Sequence, residues 1–276
     1  MISVIAYGLT LGGILYIISI GFSFTFGTMK IVNYAHALIF TIGGYILYAT
    51  LPRIGFYPAA VLAATLGVIP IAFIIERFVI RNLYGESVDL TIIATYAVFL
   101  IGLDVLKWIW GSNPLQMSDP INKTFTFLGT ELPVYRMAVI VIALALAILI
   151  EIFLQRSMAG KIVIAGLEDK ETVRGLGISV QRYFTMVFII GSALAALGGV
   201  LYAPITVVEP YMGFQILMLS FAVVIVGGLG NWRGTFVAAF FLGMVMSVTG
   251  RWWGPASEVA VFAILAVSLL IHPIDI

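Results

Sequence analysis

Long apolar intervals alternate with short polar connections along this chain. Intervals free of any charged residue run over 2–29, 31–52, 54–75, 183–208 and 210–232. Several reach the roughly 20 mainly apolar residues that a helix needs to cross a bilayer. Runs such as AVIVIALALAILI and FIIGSALAALGGVLYA lack the period-two alternation of an outer-membrane barrel, so the pattern predicts helices. The expected segments are 3–27, 34–51, 57–76, 90–110, 136–154, 183–204, 214–229, 234–250 and 256–272. Two of them, 34–51 and 214–229, are short or interrupted by polar and glycine residues, and read as full spans, half-helices or re-entrant pieces. The fold class expected is therefore all-α, a polytopic transmembrane bundle of about 8–9 segments with broken or re-entrant helices.

Composition supports this class. Of 276 residues 62% are hydrophobic and only 10% charged, against about 45–50% apolar and 25% charged in a soluble domain. A net charge of +1 supplies no basic arm for nucleic acid, so no nucleic-acid partner is expected. Cysteine is absent, which removes disulfide and thiol chemistry. The two histidines, His36 and His272, are too far apart for a helical two-histidine metal motif. No phosphate loop of the form G-x-x-x-x-G-K-[ST] and no hydrolase motif occurs, so ATP hydrolysis and intramembrane hydrolysis are not expected of this chain. Acidic residues inside the segments are too sparse for the usual ion-coupled carrier.

The few charges also set an orientation. Arg156, Lys161, Lys170, Arg174 and Arg182 fall between 156 and 182, and Arg77 and Arg81 follow the third segment. Basic connections face the cytoplasm, which predicts a cytoplasmic 157–182 loop and, after nine crossings, a cytoplasmic C-terminus beyond Pro273. A re-entrant second segment would change only the side of the N-terminus. Within the loop, GLEDKETVRGLGI offers Asp169 as N-cap, Glu171 in a first turn, Arg174 in a last turn and Gly175 or Gly177 for a left-handed close. So short a helix needs a partner surface; the alternative is a solvated loop.

Small residues mark close packing: Gly8 and Gly12, Gly230 and Gly234, and Ser192, Ala196 and Gly199 near one helix face. Polar interruptions carry more information, because polar groups at membrane depth turn toward a bundle interior or a cavity. One stretch holds Asn33, His36 and Thr41, and another holds Asn231 and Arg233. Each sets Asn plus an aromatic (Asn33-Tyr34, Asn231-Trp232) before a small-residue-rich helix, the layout of a degenerate repeat or a chance likeness. Asn33, His36, Thr41 and Asn231 are the candidates for a solute path, with a backbone-bonded core histidine the alternative for His36. Arg233 serves that path or marks the cytoplasmic boundary. Asp104 and Lys107, three apart, read as an internal salt bridge.

These residues together resemble the branched-chain amino acid type of permease in ABC importers, the smaller of its two permease subunits. The resemblance rests on GFSFTFG and NYAH, with Ala37 where the family has glycine, and on IIERFVIRNLYGESVDLTIIATYAV, with Glu76, Arg77, Arg81, Leu83 and Thr95 in place. It continues through MAGKIVIAGLEDKETVRGLGI, with Ile164 where the family has arginine, and is densest over GSALAALGGVLYAP, EPYMGF and SFAVVIVGGLGNWRGTFVAAFFLG. It covers almost the whole chain, so residues 1–276 are expected to form one transmembrane permease domain. The resemblance implies half of a translocation path in the cell membrane, working by alternating access for branched-chain or related amino acids, with urea or short amides as the alternative cargo. It implies a second homologous permease subunit, two cytoplasmic ATPase subunits that carry ATP and Mg, and an extracytoplasmic solute-binding protein. No cofactor is expected on this chain, and its direct surroundings are lipid and a small-molecule solute. The 157–182 loop becomes the coupling element, with Gly160, Ala165, Glu168, Asp169, Glu171, Arg174 and Gly177 as its matched positions. A self-sufficient secondary carrier and a membrane-embedded enzyme or scaffold are the readings from other classes.

Overall fold

The structure is a computed structural model that describes residues 1–175 and 177–271, with the side chains of 170–172 outside the description. Helices α1 (Ile2–Met29), α2 (Ala35–Ile54), α3 (Tyr57–Phe78), α4 (Val88–Trp110), α5 (Val134–Arg156), α8 (Val180–Tyr202), α9 (Met212–Gly227), α10 (Trp232–Gly250) and α11 (Ala256–Ile271) correspond to the nine expected segments. Seven of them are long and apolar enough to cross a membrane, while α9 and α11 have 16 residues each. The protein is an all-α multi-pass membrane bundle. Two short helices, α6 (Met158–Glu168) and α7 (Lys170–Gly175), occupy the long basic connection. The expected short helix is α7, which follows Asp169, and Gly177 takes the left-handed φ of 78°. The eleven-residue α6 before it was not expected, because Gly160 and Gly166 lower its local helix propensity.

Helix α1 is the hub. It packs against α5, α8, α9 and α10, and from Gly12 to Phe26 every residue is buried. Glycine makes these contacts possible. A Cβ on Gly243 of α10 would lie 2.4 Å from the backbone nitrogen of Gly12, and one on Gly21 would lie 2.6 Å from the Gly191 oxygen of α8. The Ala196–Gly199 face of α8 meets α2 in the same way, Gly43 against Ala196 and Gly199 against Phe40. Backbones this close gain dispersion contacts where lipid offers no hydrophobic driving force. Gly230 and Gly234 do not share one interface: Gly234 packs on Gly227, and Gly230 approaches Gly27.

Two ends can be distinguished. The basal end carries α6, α7, the close of α1, α3, α5 and α9, and the start of α8 and α10. At the distal end a hairpin pairs strands Thr124–Phe127 and Thr130–Pro133. Its turn residues Leu128 and Gly129 have φ of 49° and 77°, the paired positive values of a type I′ turn. There Tyr57 bonds Tyr135 at 2.6 Å, and Tyr135 donates to the Leu201 carbonyl at 2.8 Å. Trp108, Trp252 and Trp253 are exposed near the distal helix ends, as an interfacial belt requires.

Candidate functional site

Between α1 and α2 the chain stays non-helical while buried. Lys30 closes α1 in the left-handed conformation, and Ile31, Val32 and Asn33 then run through the bundle interior before α2 begins at Ala35. Such backbone is tolerated at membrane depth only where protein or a cavity supplies hydrogen-bond partners. Thr95 of α4 supplies them: its hydroxyl is 2.9 Å from the Val32 carbonyl, and it accepts from the Tyr34 amide at 3.2 Å. The expected broken entry to α2 is thus present, although α2 itself is continuous over 20 residues.

Asn33 and His36 lie at this break. His36 is fully buried beside the Phe22 ring, and its Nε2 donates to the Ile18 carbonyl at 3.1 Å. That bond makes Nδ1 the acceptor nitrogen, and it has no partner among the described residues. Asn33 is 1% exposed, and neither side-chain atom has a partner among the described residues. Buried polar groups without partners are rare; among the described residues Ser19, Tyr45, Thr65 and Ser192 share this state with the pair. Thr41, two turns along α2, donates to the Ala37 carbonyl at 3.0 Å and accepts from the Gly213 amide at 3.1 Å, tying α2 to the start of α9. Asn231 does not join them. It is exposed at the basal end and caps α10, accepting from the Gly234 amide at 3.0 Å. The two Asn-aromatic stretches share a place before a helix but not an environment. Arg233 pairs with Glu151 of α5, whose carboxylate also accepts from Trp232 Nε1, so it marks the basal boundary.

The basal element is built from the turn between α5 and α6. Ser157 caps α6, accepting from the Gly160 amide at 2.8 Å while its hydroxyl donates to the Phe153 carbonyl at 2.7 Å. A Cβ on Gly160 would fall 2.2 Å from that carbonyl oxygen, so only glycine allows the tight return. Gly166 lies against the Tyr183 ring, and the Tyr183 hydroxyl donates to the Val163 carbonyl at 3.0 Å, pinning α6 to α8. Ala165 is half-buried and its carbonyl accepts from Asp169 at 2.8 Å, while Lys161, Glu168, Asp169 and Arg174 are exposed. The side chain of Glu171 lies outside the described residues, as do His272 and Pro273. A cavity of about 290 Å³ opens beside this element, lined by Gly27, Leu167, Glu168, Gly230 and Asn231 among others.

One network was not legible in the sequence. Glu76 is fully buried at the close of α3, and its Oε1 accepts from Thr185 at 2.7 Å, from Tyr84 at 2.9 Å and from Arg81 Nε at 3.3 Å. Its Oε2 accepts from Arg81 Nη2 at 3.1 Å. Burial, together with the adjacent Glu76 carboxylate, raises the Tyr84 hydroxyl above its ordinary range. Glu76 and Arg81 carry part of the family resemblance, but Thr185 stands 109 residues away, and no local spacing announces it. Asp104 and Lys107 form the expected salt bridge at 3.2 Å.

Among the described residues no group of three or more metal-ligating side chains occurs. The class that fold and site define is a multi-pass helical membrane protein with a broken, polar interior helix entry and an ordered basal element. The chain belongs to the family described as branched-chain amino acid transport system / permease component, which matches residues 4–272. It is 28% identical to the high-affinity branched-chain amino acid transport system permease protein LivH of Salmonella typhimurium, over 98% of this chain and 92% of that protein. It is 26% identical to BraD of Pseudomonas aeruginosa, a permease protein of the same description, over 98% and 93%. A probable LivH of Methanocaldococcus jannaschii is 25% identical over 95% and 88%. The fold is shared with a chain of PsaBC from Streptococcus pneumoniae in complex with Fab, with a TM-score of 0.53, 13% identity and coverage of 97% and 91%.

Proposed function

We propose that this chain is the permease subunit of an ATP-driven importer and forms half of a translocation path for branched-chain or related amino acids. The observation that carries this reading is the basal element. Helices α6 and α7 are too short to persist alone, yet α6 is capped by Ser157 and pinned through Gly166 and Tyr183 and turns Lys161 and Glu168 outward, with Asp169 and Arg174 exposed just beyond it. A helix held rigid while presenting charge is suited to receive force from a docked protein. In this reading two cytoplasmic ATPase subunits, which carry ATP and Mg, engage Gly160, Ala165, Glu168, Asp169, Glu171, Arg174 and Gly177, and their closure biases the bundle between outward and inward openings. The chain itself binds no cofactor and catalyses no reaction. A second homologous permease completes the path, and an extracytoplasmic solute-binding protein delivers the solute. The basal end is then cytoplasmic, as is the C-terminus.

Asn33, His36 and Thr41, fully buried, back the wall of the path from the bundle interior. Replacing 168–174 by a Gly/Ser linker tests the reading: uptake in cells and co-purification of the ATPases should both be lost, with the detergent-solubilised bundle still folded. Uptake that survived the replacement would refute the coupling role. Binding measurements on the associated solute-binding protein separate amino acids from urea or short amides.

A further inference from the structure

The surface of the bundle is not uniform. Exposed positions in the middle of α3, α5 and α10 are apolar, among them Leu66, Phe73, Leu144, Ile148 and Phe241. The face made by α4, the start of α2 and the start of α9 also exposes apolar residues, Ile93, Leu100 and Ile101 among them, but adds an aromatic row and an exposed carboxamide. Tyr96, near the middle of α4, is 40% exposed and stacks edge-on against Tyr34 at 5.4 Å; Tyr34 in turn stacks on Phe214 of α9 at 6.3 Å. Gln215, one turn into α9, is exposed, and among the described residues its side chain has no hydrogen-bond partner. Toward the distal end the row continues through Tyr211, over whose ring Lys107 Nζ sits at 5.1 Å, to Asp104, whose side chain is 78% exposed. The buried, Thr95-clasped segment that carries Asn33 lies directly behind Tyr34.

An uncapped carboxamide at membrane depth is costly against hydrocarbon, and polar side chains in spanning segments face protein or water. The aromatic row beside it offers π-faces and apolar edges together with the hydroxyls of Tyr34 and Tyr96. We infer that the α4–α2–α9 face is the solute track of this half of the importer, walled on its open side by the second permease. Tyr34, Tyr96 and Phe214 receive the apolar side chain of a zwitterionic amino acid, and Gln215 bonds its polar head. The Asp104–Lys107 pair stands at the track's distal mouth. This rests on the importer reading and adds to it the face, the residues and the solute chemistry. The residues first expected on the path, Asn33, His36 and Thr41, sit behind this face rather than on it.

The chain has no cysteine, so single-cysteine variants of it need no prior removal of its own thiols. Gln215→Cys, Tyr96→Cys, Phe73→Cys and Ile148→Cys are introduced into the complete complex in membrane vesicles and treated with a membrane-impermeant, water-soluble thiol reagent. Cysteines at 215 and 96 should react, and a transported branched-chain amino acid should slow their reaction several-fold, while those at 73 and 148 stay unmodified. Silence at both 215 and 96, or equal reaction at all four positions, overturns the assignment. Because Gln215 is exposed, its variant retains the fold even if removal of the Tyr96 ring disturbs packing. Failure of the importer reading is separately visible: the unmodified complex would then show no ATP-dependent uptake at all.

Discussion

Glu76→Gln isolates one charge in a fully packed site. The substitution preserves shape, so its effect reads the carboxylate's bonds and not a cavity. The three donors at Oε1 (Thr185, Tyr84 and Arg81 Nε) hold the amide oxygen there, which places the new NH₂ against Arg81 Nη2, donor facing donor, at the present 3.1 Å. Removing one partner of a buried ion pair costs about 3–5 kcal/mol. The Arg81 side chain is 20% exposed, so water recovers part of this, and the lower end, about 3 kcal/mol, applies. At about 2–4 °C per kcal/mol the thermal midpoint of the detergent-purified protein should fall by about 6–12 °C. Scans are compared at one heating rate, since membrane bundles unfold irreversibly. The double variant Glu76→Gln with Arg81→Gln should fall short of the summed single effects by about 1–3 kcal/mol, as two amides can pair. A midpoint within about 1 °C of wild type for Glu76→Gln, or strict additivity in the pair, would show that this carboxylate does not hold α3 to α8.

Other outcomes follow from the same geometry. Gly199→Ala should destabilise by about 1–3 kcal/mol or more, because its Cβ would stand 1.9 Å from the Phe40 carbonyl, whereas Gly67→Ala, which meets only Ile46 at 3.7 Å, should be neutral or stabilising; expression yield and thermal midpoint decide both. Thr95→Val should cost about 1–3 kcal/mol by leaving the Val32 carbonyl and Tyr34 amide unpaired, with Thr95→Ser recovering most of it in the same assay. Ser157→Ala should cost about 1 kcal/mol locally and speed hydrogen exchange over 158–163 in a mass-spectrometric experiment, while exchange in α1 stays unchanged. Tyr84 is an acid whose neutral form the fold favours, so its contribution is whole below the ordinary tyrosine value of about 10 and is lost only above it. The stability difference between wild type and Tyr84→Phe should accordingly be constant from about pH 6 to 9 in denaturation experiments, and a steep change inside that window would contradict the buried placement.

The spans were readable because hydrophobic continuity is a local property that the bilayer enforces segment by segment. Helix α6 was not, since Gly160 and Gly166 look like breakers until Phe153 and Tyr183 are seen to need the space they leave. The hairpin at 124–133 escaped notice because Leu128-Gly129 lacks the Asn-Gly signature, although TFTF alternates as a strand should. In the interior, the polar residues of 33–41 could be named from sequence, but which of them share a neighbourhood could not. Asn231 resembled Asn33 by its neighbours in sequence and proved to be a helix cap. Thr95 and Thr185 act across 63 and 109 residues, distances over which spacing carries no signal.

The central position of α1 has a consequence for biogenesis. Its glycine face at Gly8 and Gly12 is completed by Gly243 of α10, more than 230 residues later in the chain. At about 5–20 residues per second, ribosomal synthesis delivers that partner roughly 10–45 s after α1 has entered the membrane. During this interval α5, α8 and α9 join α1 in turn, but its Gly8–Gly12 face and Ser23, whose partners Gly230 and Thr235 are also late, stay open to lipid. Closure of the hub is therefore a late event, and insertion factors that shelter a polar-faced first helix would act on the α10-facing side of α1 after its other contacts have begun to form.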